Sequence, residues 1–252
     1  MKHNGQCNIV IDFGNTLCKV AGYSLGQLVW LKSFQTLKGE SQPIRYLLTL
    51  PEKSHCIFSS VILHSKAMEE FIQQRFQAIF LNSQTLLPIK IKYTTPESLG
   101  NDRIAMAVTA FRHFKGKNVL AIGAGTAITY DILTSKGEYV GGAISPGLIM
   151  RFRALNTFTG RLPLLKPGSI KFLVGDSTEN SILSGVINGT VLEIDGMIEA
   201  FIQKYDDLQI ILGGGHSKFL HKRLKNSTFA IPNPVIDGLN TILEYNIENN
   251  TI

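Results

Sequence analysis

NIVIDFGNT at residues 8–16 and VLAIGAGT at residues 119–126 decide how this chain is read. Each is a short apolar run that ends in a glycine-bearing turn, the pattern of a buried strand. Each is followed by two further strand candidates: LCKVAGY (17–23) and QLVWLKSF (27–34) after the first, AITYDIL (127–133) and EYVGGAI (138–144) after the second. The first half continues with a helix near 41–49, a strand at 56–61 and a helix at 65–77. The second continues with a helix over 178–204, a strand at 208–212 and a helix at 216–225. Between them, 97–114 is amphipathic, with Ile104, Ala107, Val108 and Phe111 three and four residues apart. A strand–strand–strand–helix unit that occurs twice predicts an α/β protein of two duplicated lobes, 1–115 and 116–252, with a ligand cleft between them.

The bulk properties exclude several classes. Of 252 residues, 44% are hydrophobic and 17% charged, which is a globular balance. No uninterrupted apolar run approaches the ~18 residues of a membrane helix, and Asp12 breaks the N-terminal apolar stretch, unlike a secretory signal. The cysteines Cys7, Cys18 and Cys56 are odd in number and form no C-x-x-C, so reduced thiols in a cytoplasmic protein are expected. The net charge is +6, but its densest run, His221-Lys222-Arg223-Leu224-Lys225, lacks interleaved aromatics. It reads as a solvated helix face, and neither a nucleic-acid nor a membrane partner is expected.

Four segments can carry chemistry. In Asp12-Phe13-Gly14-Asn15-Thr16, Gly14 lets a phosphate approach backbone N–H groups, Asn15 and Thr16 add donors, and Asp12 can hold Mg²⁺ directly or through water. The same residues make an ordinary hairpin turn. The related Gly125-Thr126 turn favours phosphate, because two facing turns can grip one polyphosphate. Gly213-Gly214-Gly215 can pack closely on adenosine, the alternative being a helix-entry turn. Asp102 and Arg103, just after Gly100, can take a hydroxyl proton and grip a carboxylate; the alternative is an exposed helical ion pair. Gly185 and Gly189 share a helix face that suits either a dimer contact or an internal helix crossing. Neither the Walker pattern nor a helix-opening G-x-G-x-x-G occurs.

In order and spacing, these segments resemble the type III pantothenate kinases, of the acetate kinase, sugar kinase, heat-shock protein and actin superfamily. The matching pieces are DFGNT (12–16) with Lys19, SSV (59–61), Tyr93, SLGNDR (98–103), GTAITYD (125–131), GGAISPG (141–147), GDST (175–178), SGV (184–186) and GG (213–214). The resemblance implies duplicated ribonuclease-H-like domains, a homodimer, and Mg²⁺- and ATP-dependent phosphorylation of pantothenate toward coenzyme A. It implies ATP contacts at Asp12, Gly14, Asn15, Thr16, Lys19, Gly125, Thr126, Gly213 and Gly214. It implies Asp102 as proton acceptor and a pantothenate site lined by Tyr93, Gly100, Asn101, Arg103 and Thr178. The chain departs from the family at Gly123, where an aspartate usually serves a monovalent cation, K⁺ or NH₄⁺. Another small-molecule kinase of the superfamily and a non-catalytic nucleotide-binding regulator are the competing readings.

Overall fold

The computed structural model describes residues 7–251. Its elements are β1 (Asn8–Phe13), β2 (Leu17–Ser24), β3 (Gln27–Gln35), α1 (Ser41–Leu47), β4 (His55–Ser60), α2 (Lys66–Arg75), β5 (Gln77–Phe80), β6 (Lys90–Ile91), α3 (Asn101–His113), β7 (Val119–Ala124), β8 (Ala127–Leu133), β9 (Glu138–Pro146), α4 (Leu148–Thr157), α5 (Thr178–Ile202), β10 (Gln209–Gly213), α6 (Ser217–His221), β11 (Phe229–Ala230) and α7 (Pro234–Glu248).

The two sheets repeat one topology. The first has the order β3-β2-β1-β4-β5; the second carries β9-β8-β7-β10-β11, the same order one half later. In each, the opening strand pairs antiparallel with the next strand and parallel with the fourth. Those opening strands are apolar because both of their faces are covered: five of the six residues of β1 are buried, and five of the six of β7. Ile9, Ile11, Phe13, Val20, Phe58 and Ile72 centre the first core, and Leu120, Ile122, Tyr130, Phe152, Ile187 and Leu212 the second.

The chain divides into two compact units, one running through Lys115 and taking in Gly137–Tyr139 and Asn233 onward, the other comprising Gly116–Lys136 and Val140–Pro232. Helix α7 falls within the first of these units. The reason is packing. Ile236, Leu239, Ile242 and Leu243 form a fully buried stripe, and Thr109 of α3 donates its hydroxyl to the Pro234 carbonyl at 2.6 Å. Asn8 and Asn246 tie the same helix to β1 and to the Leu86 carbonyl. Residues 137–139 join this unit because β6 pairs with the start of β9, Ile91 beside Tyr139.

Two helices are shorter than the sequence suggests. The 97–114 segment begins with a 3-10 turn at Pro96–Ser98, and Leu99 turns inward in extended conformation, so the α-helix starts only after Gly100. The 216–225 segment is helical only over Ser217–His221, because the buried Asp195 carboxylate accepts the backbone N–H groups of Lys225 and Asn226 at 3.1 Å and turns the chain. Helix α5 has a length and hydropathy that a membrane span would also satisfy, but Ile182, Val186, Ile187, Ile194 and Ile198 bury its apolar face in the second core.

Candidate active site

In the first unit, Asp12 stands at the carboxyl end of β1. Its register partners are Lys19 on β2 and Ser59 on β4, and register partners share a sheet face. Asp12 is buried, at 8% exposure. Burial pushes its pKa up to about 7; the Lys19 charge opposes that rise, and the Asp102 carboxylate adds to it. Asp12 and Asp102 are therefore close enough to feel each other. Beside them the Ser59 hydroxyl is fully buried and has no hydrogen-bond partner. The following turn is tight: Gly14 donates its N–H to the Leu17 carbonyl at 3.1 Å and accepts the Thr36 hydroxyl at 2.8 Å, leaving Asn15 and Thr16 exposed at the tip.

Asp102 and Arg103 are the second and third residues of α3. The positive end of the helix favours a carboxylate there, and the Arg103 N–H donates to Asp102 Oδ1 at 2.9 Å. Burial raises the Asp102 pKa, while that N–H and the Arg103 guanidinium hold it down. A Cβ on Gly100 would lie 2.7 Å from Asp102 Oδ1, so a larger residue would displace the carboxylate. The buried Arg103 guanidinium lies 5.8 Å from the Tyr93 ring and 6.0 Å from the Tyr139 ring, at the edge of cation–π range of both, and the two rings lie 6.0 Å from each other. Asn101 hangs the start of α3 on the Leu81 carbonyl at 3.0 Å, and more weakly on the Ser60 carbonyl at 3.4 Å. A cavity of about 560 Å³ opens beside this helix start, lined by 60–63, 81–83, 96–101 and Ile104. That volume suits a small-molecule ligand.

In the second unit the β7–β8 turn repeats the first. Gly125 donates its N–H to the Ala127 carbonyl at 3.0 Å, as Gly14 does to Leu17. Two segments clasp this turn. Gly147 donates to the Thr126 carbonyl at 3.1 Å, and the His216 N–H to the Ala124 carbonyl at 3.0 Å. Gly214 has φ +96°, and a Cβ there would lie 2.5 Å from the Ala124 oxygen. The glycine cluster after β10 is thus a close backbone approach to the turn, while Gly213 ends β10 buried. Gly123 has Thr129 and Gly213 as register partners, which makes it the counterpart of Asp12.

The sequence matches the type III pantothenate kinase family over residues 8–200. It is 45% identical over 248 residues to the type III pantothenate kinase of Christiangramia forsetii, covering 95% of this chain and 98% of that one. This chain belongs to the type III pantothenate kinase family. The Cytophaga hutchinsonii member is 42% identical, covering 95% of this chain and all of that one. Among solved structures, the Arthrobacter inorganic polyphosphate/ATP-glucomannokinase superposes with a TM-score of 0.53 at 14% identity, covering 96% of this chain and 99% of that chain. A ROK family protein from Streptococcus pneumoniae gives 0.52 at 12%, covering 98% and 100%. At these identities the likeness shows the fold, the duplicated ribonuclease-H-like arrangement of sugar kinases.

Within the family frame, Asp12, Lys19, Tyr93, Gly100, Asn101, Asp102 and Arg103 belong to the first unit, and Asp12, Asp102, Arg103 and Tyr93 form one linked group there. Asn101 spends its amide on backbone carbonyls, which makes it a brace for the site. Thr178 is the exposed first residue of α5, after the N-cap Ser177, and belongs to the second unit with Gly125, Thr126, Gly213 and Gly214. Sequence reasoning missed Tyr139. Its only signal was alternation within EYVGG, which gives a buried position but no partner.

Proposed function

We propose that this protein transfers the terminal phosphate of ATP to the primary hydroxyl of pantothenate, the first step toward coenzyme A, as a soluble cytoplasmic enzyme. The observation that carries the reading is the Asp12–Asp102–Arg103 group, a carboxylate poised at a helix start beside a rigidly held guanidinium. Asp102 takes the hydroxyl proton; the freed oxygen attacks the γ-phosphorus and the bond to ADP breaks. Arg103 grips the pantothenate carboxylate, and Tyr93 and Tyr139 fix its plane. The Gly14–Thr16 and Gly125–Thr126 turns let phosphate oxygens approach the backbone closely, and Asn15, Thr16 and Thr126 bring polar side chains. Among the described residues no group of three or more His, Cys, Asp or Glu could hold a metal. Asp12, a buried carboxylate at the end of β1, fits Mg²⁺, which takes few protein ligands and keeps water and phosphate oxygens. When bound, Mg²⁺ would neutralise the charge on the phosphates. A coupled assay of ADP release with and without pantothenate tests the whole reading; release that pantothenate does not stimulate, but a sugar or acetate does, overturns it.

Arg103→Lys keeps the charge but loses the planar fork and its stacking against the Tyr93 and Tyr139 pair. The KM for pantothenate should rise about tenfold or more, with the KM for ATP little changed. Steady-state kinetics in both substrates decide it, and equal effects on the two would make Arg103 structural.

Two further properties belong to the same proposal. Gly185, Gly189 and Gly196 lie on α5 with Leu192, which is 57% exposed, and a Cβ on any of the three glycines meets nothing within 4 Å. That open face supports a homodimer, so light scattering should give about twice the 27.8 kDa chain mass, and an active monomer would sink the idea. Gly123 offers only backbone where a carboxylate would hold a monovalent cation. Activity should therefore rise only shallowly with KCl against NaCl at fixed ionic strength, and more steeply in Gly123→Asp. Tight, saturable K⁺ activation of the native protein would show that another group fills the position.

A further inference from the structure

We propose that Arg151 and Glu193 are positioning residues for the Gly125–Thr126 turn and so set the affinity for the nucleotide's phosphates, a role that rests on the reading of this turn as a phosphate loop.

A closed ring of bonds carries the inference. The Thr126 carbonyl accepts the Gly147 N–H at 3.1 Å. A Cβ on Gly147 would lie 2.3 Å from that oxygen and 2.5 Å from the Gly125 oxygen, so this backbone rests directly on the turn. The preceding carbonyl, Pro146, accepts Arg151 Nε at 2.8 Å, and the Ser145 hydroxyl meets Arg151 Nη2 at 2.8 Å. The same Nη2 donates to Glu193 Oε2 at 2.5 Å. The other oxygen of Glu193 accepts the Tyr130 hydroxyl at 3.0 Å. Tyr130 lies on β8, four residues beyond Thr126. The ring therefore starts and ends on the hairpin that carries the turn.

Each link has a physical reason to be stiff. Arg151 uses a planar group against three acceptors at once, which fixes its orientation. Burial would raise the Glu193 pKa, but the hydrogen bonds from Arg151, Ser145 and Tyr130 hold it below the usual range, so the carboxylate stays charged at neutral pH. The helices that bring the two residues together are held by other contacts. Leu148 and Phe152 anchor α4, and Ile187, Ile194 and Ile198 anchor α5, all at 1% exposure or less. Losing the ion pair should leave both helices in place and free only the Ser145–Gly147 segment that presses on the turn.

Arg151→Met and Glu193→Gln are compared by calorimetry for ADP with Mg²⁺, alongside thermal melts and KM values. Each should weaken nucleotide binding about tenfold, and the double variant should be little worse than either single one, because the two act through one link. Arg151→Lys should recover part of the loss. The KM for pantothenate should hold. Unchanged nucleotide affinity in both single variants, whatever happens to the melting temperature, overturns the proposal, as does full additivity in the double variant. Gly125→Val separates this failure from that of the phosphate reading. A Cβ there has room, its nearest neighbour being the Ala127 oxygen at 3.7 Å, but the side chain would block the turn's N–H edge. If Gly125→Val weakens nucleotide binding and the pair variants do not, only the pair's role is lost. If Gly125→Val binds normally, the turn is no phosphate loop and both readings fall.

Discussion

Asp102→Asn is expected to lower kcat by about 10²–10⁴-fold while leaving the dissociation constant for ATP nearly unchanged. Asparagine keeps the shape of the side chain and its place at the positive end of α3, and its oxygen can still accept the Arg103 N–H that now bonds Oδ1 at 2.9 Å. What it loses is the ability to take a proton. The carboxylate is also tuned for that work: burial lifts its pKa, and the neighbouring N–H and guanidinium keep the lift in check. A base with a raised pKa binds the departing proton more firmly. Because the base form is the active one, kcat/KM of the native enzyme should fall as pH drops through that raised value, at a higher pH than a free aspartate would give. Near-normal turnover in Asp102→Asn, measured under saturating substrates, would remove Asp102 from the mechanism.

The repeated sheet was legible because it is a matter of local pattern. NIVIDF and VLAI are buried on both faces, and such strands announce themselves as apolar runs closed by glycine. The same rule explains what was missed. QAIF at β5 is only partly buried and no glycine closes it, and β6 and β11 are two residues each, held by pairing. Helix α7 is a different case. Pro234 at its start and Ile236, Leu239 and Leu243 three and four apart spell an amphipathic helix, and the signal was simply present. What no local pattern could supply is its destination, against α3 in the first unit, since that depends on contacts over 125 residues of sequence. The site divides in the same way. Asp12, Asp102 and the two glycine turns were readable because turn chemistry needs particular residues at adjacent positions. Tyr139, and the Arg151–Glu193 link 42 residues apart in sequence, act through tertiary contacts and left no mark that spacing could reveal.

Asp12→Asn should separate activity from stability, raising one as it destroys the other. In the folded chain the Asp12 carboxyl titrates at about 7 against a model-peptide value of 3.8, chiefly because it is buried. A raised value means the folded state binds this proton more tightly than the unfolded state does. The stability this gives is full below the unfolded pKa and is lost as pH rises from about 4 through about 7, an effect on the order of 4 kcal/mol. Above that range the native protein carries a buried negative charge that the Lys19 charge only partly offsets. Asparagine carries none, so urea unfolding at pH 8 should show the variant more stable by up to a few kcal/mol, and at pH 4 nearly equal to the native protein. Parallel pH dependence in the two proteins would mean that Asp12 does not titrate in the fold as its burial requires. The lost charge is also what a cation and triphosphate would neutralise. Added Mg²⁺ and ADP should therefore raise the melting temperature of the native enzyme at pH 8 much more than that of the variant, and turnover of the variant should fall at least about 10²-fold. Beside Asp12 the Ser59 hydroxyl is buried without a hydrogen-bond partner, and the proposed function assigns both groups to the ligand.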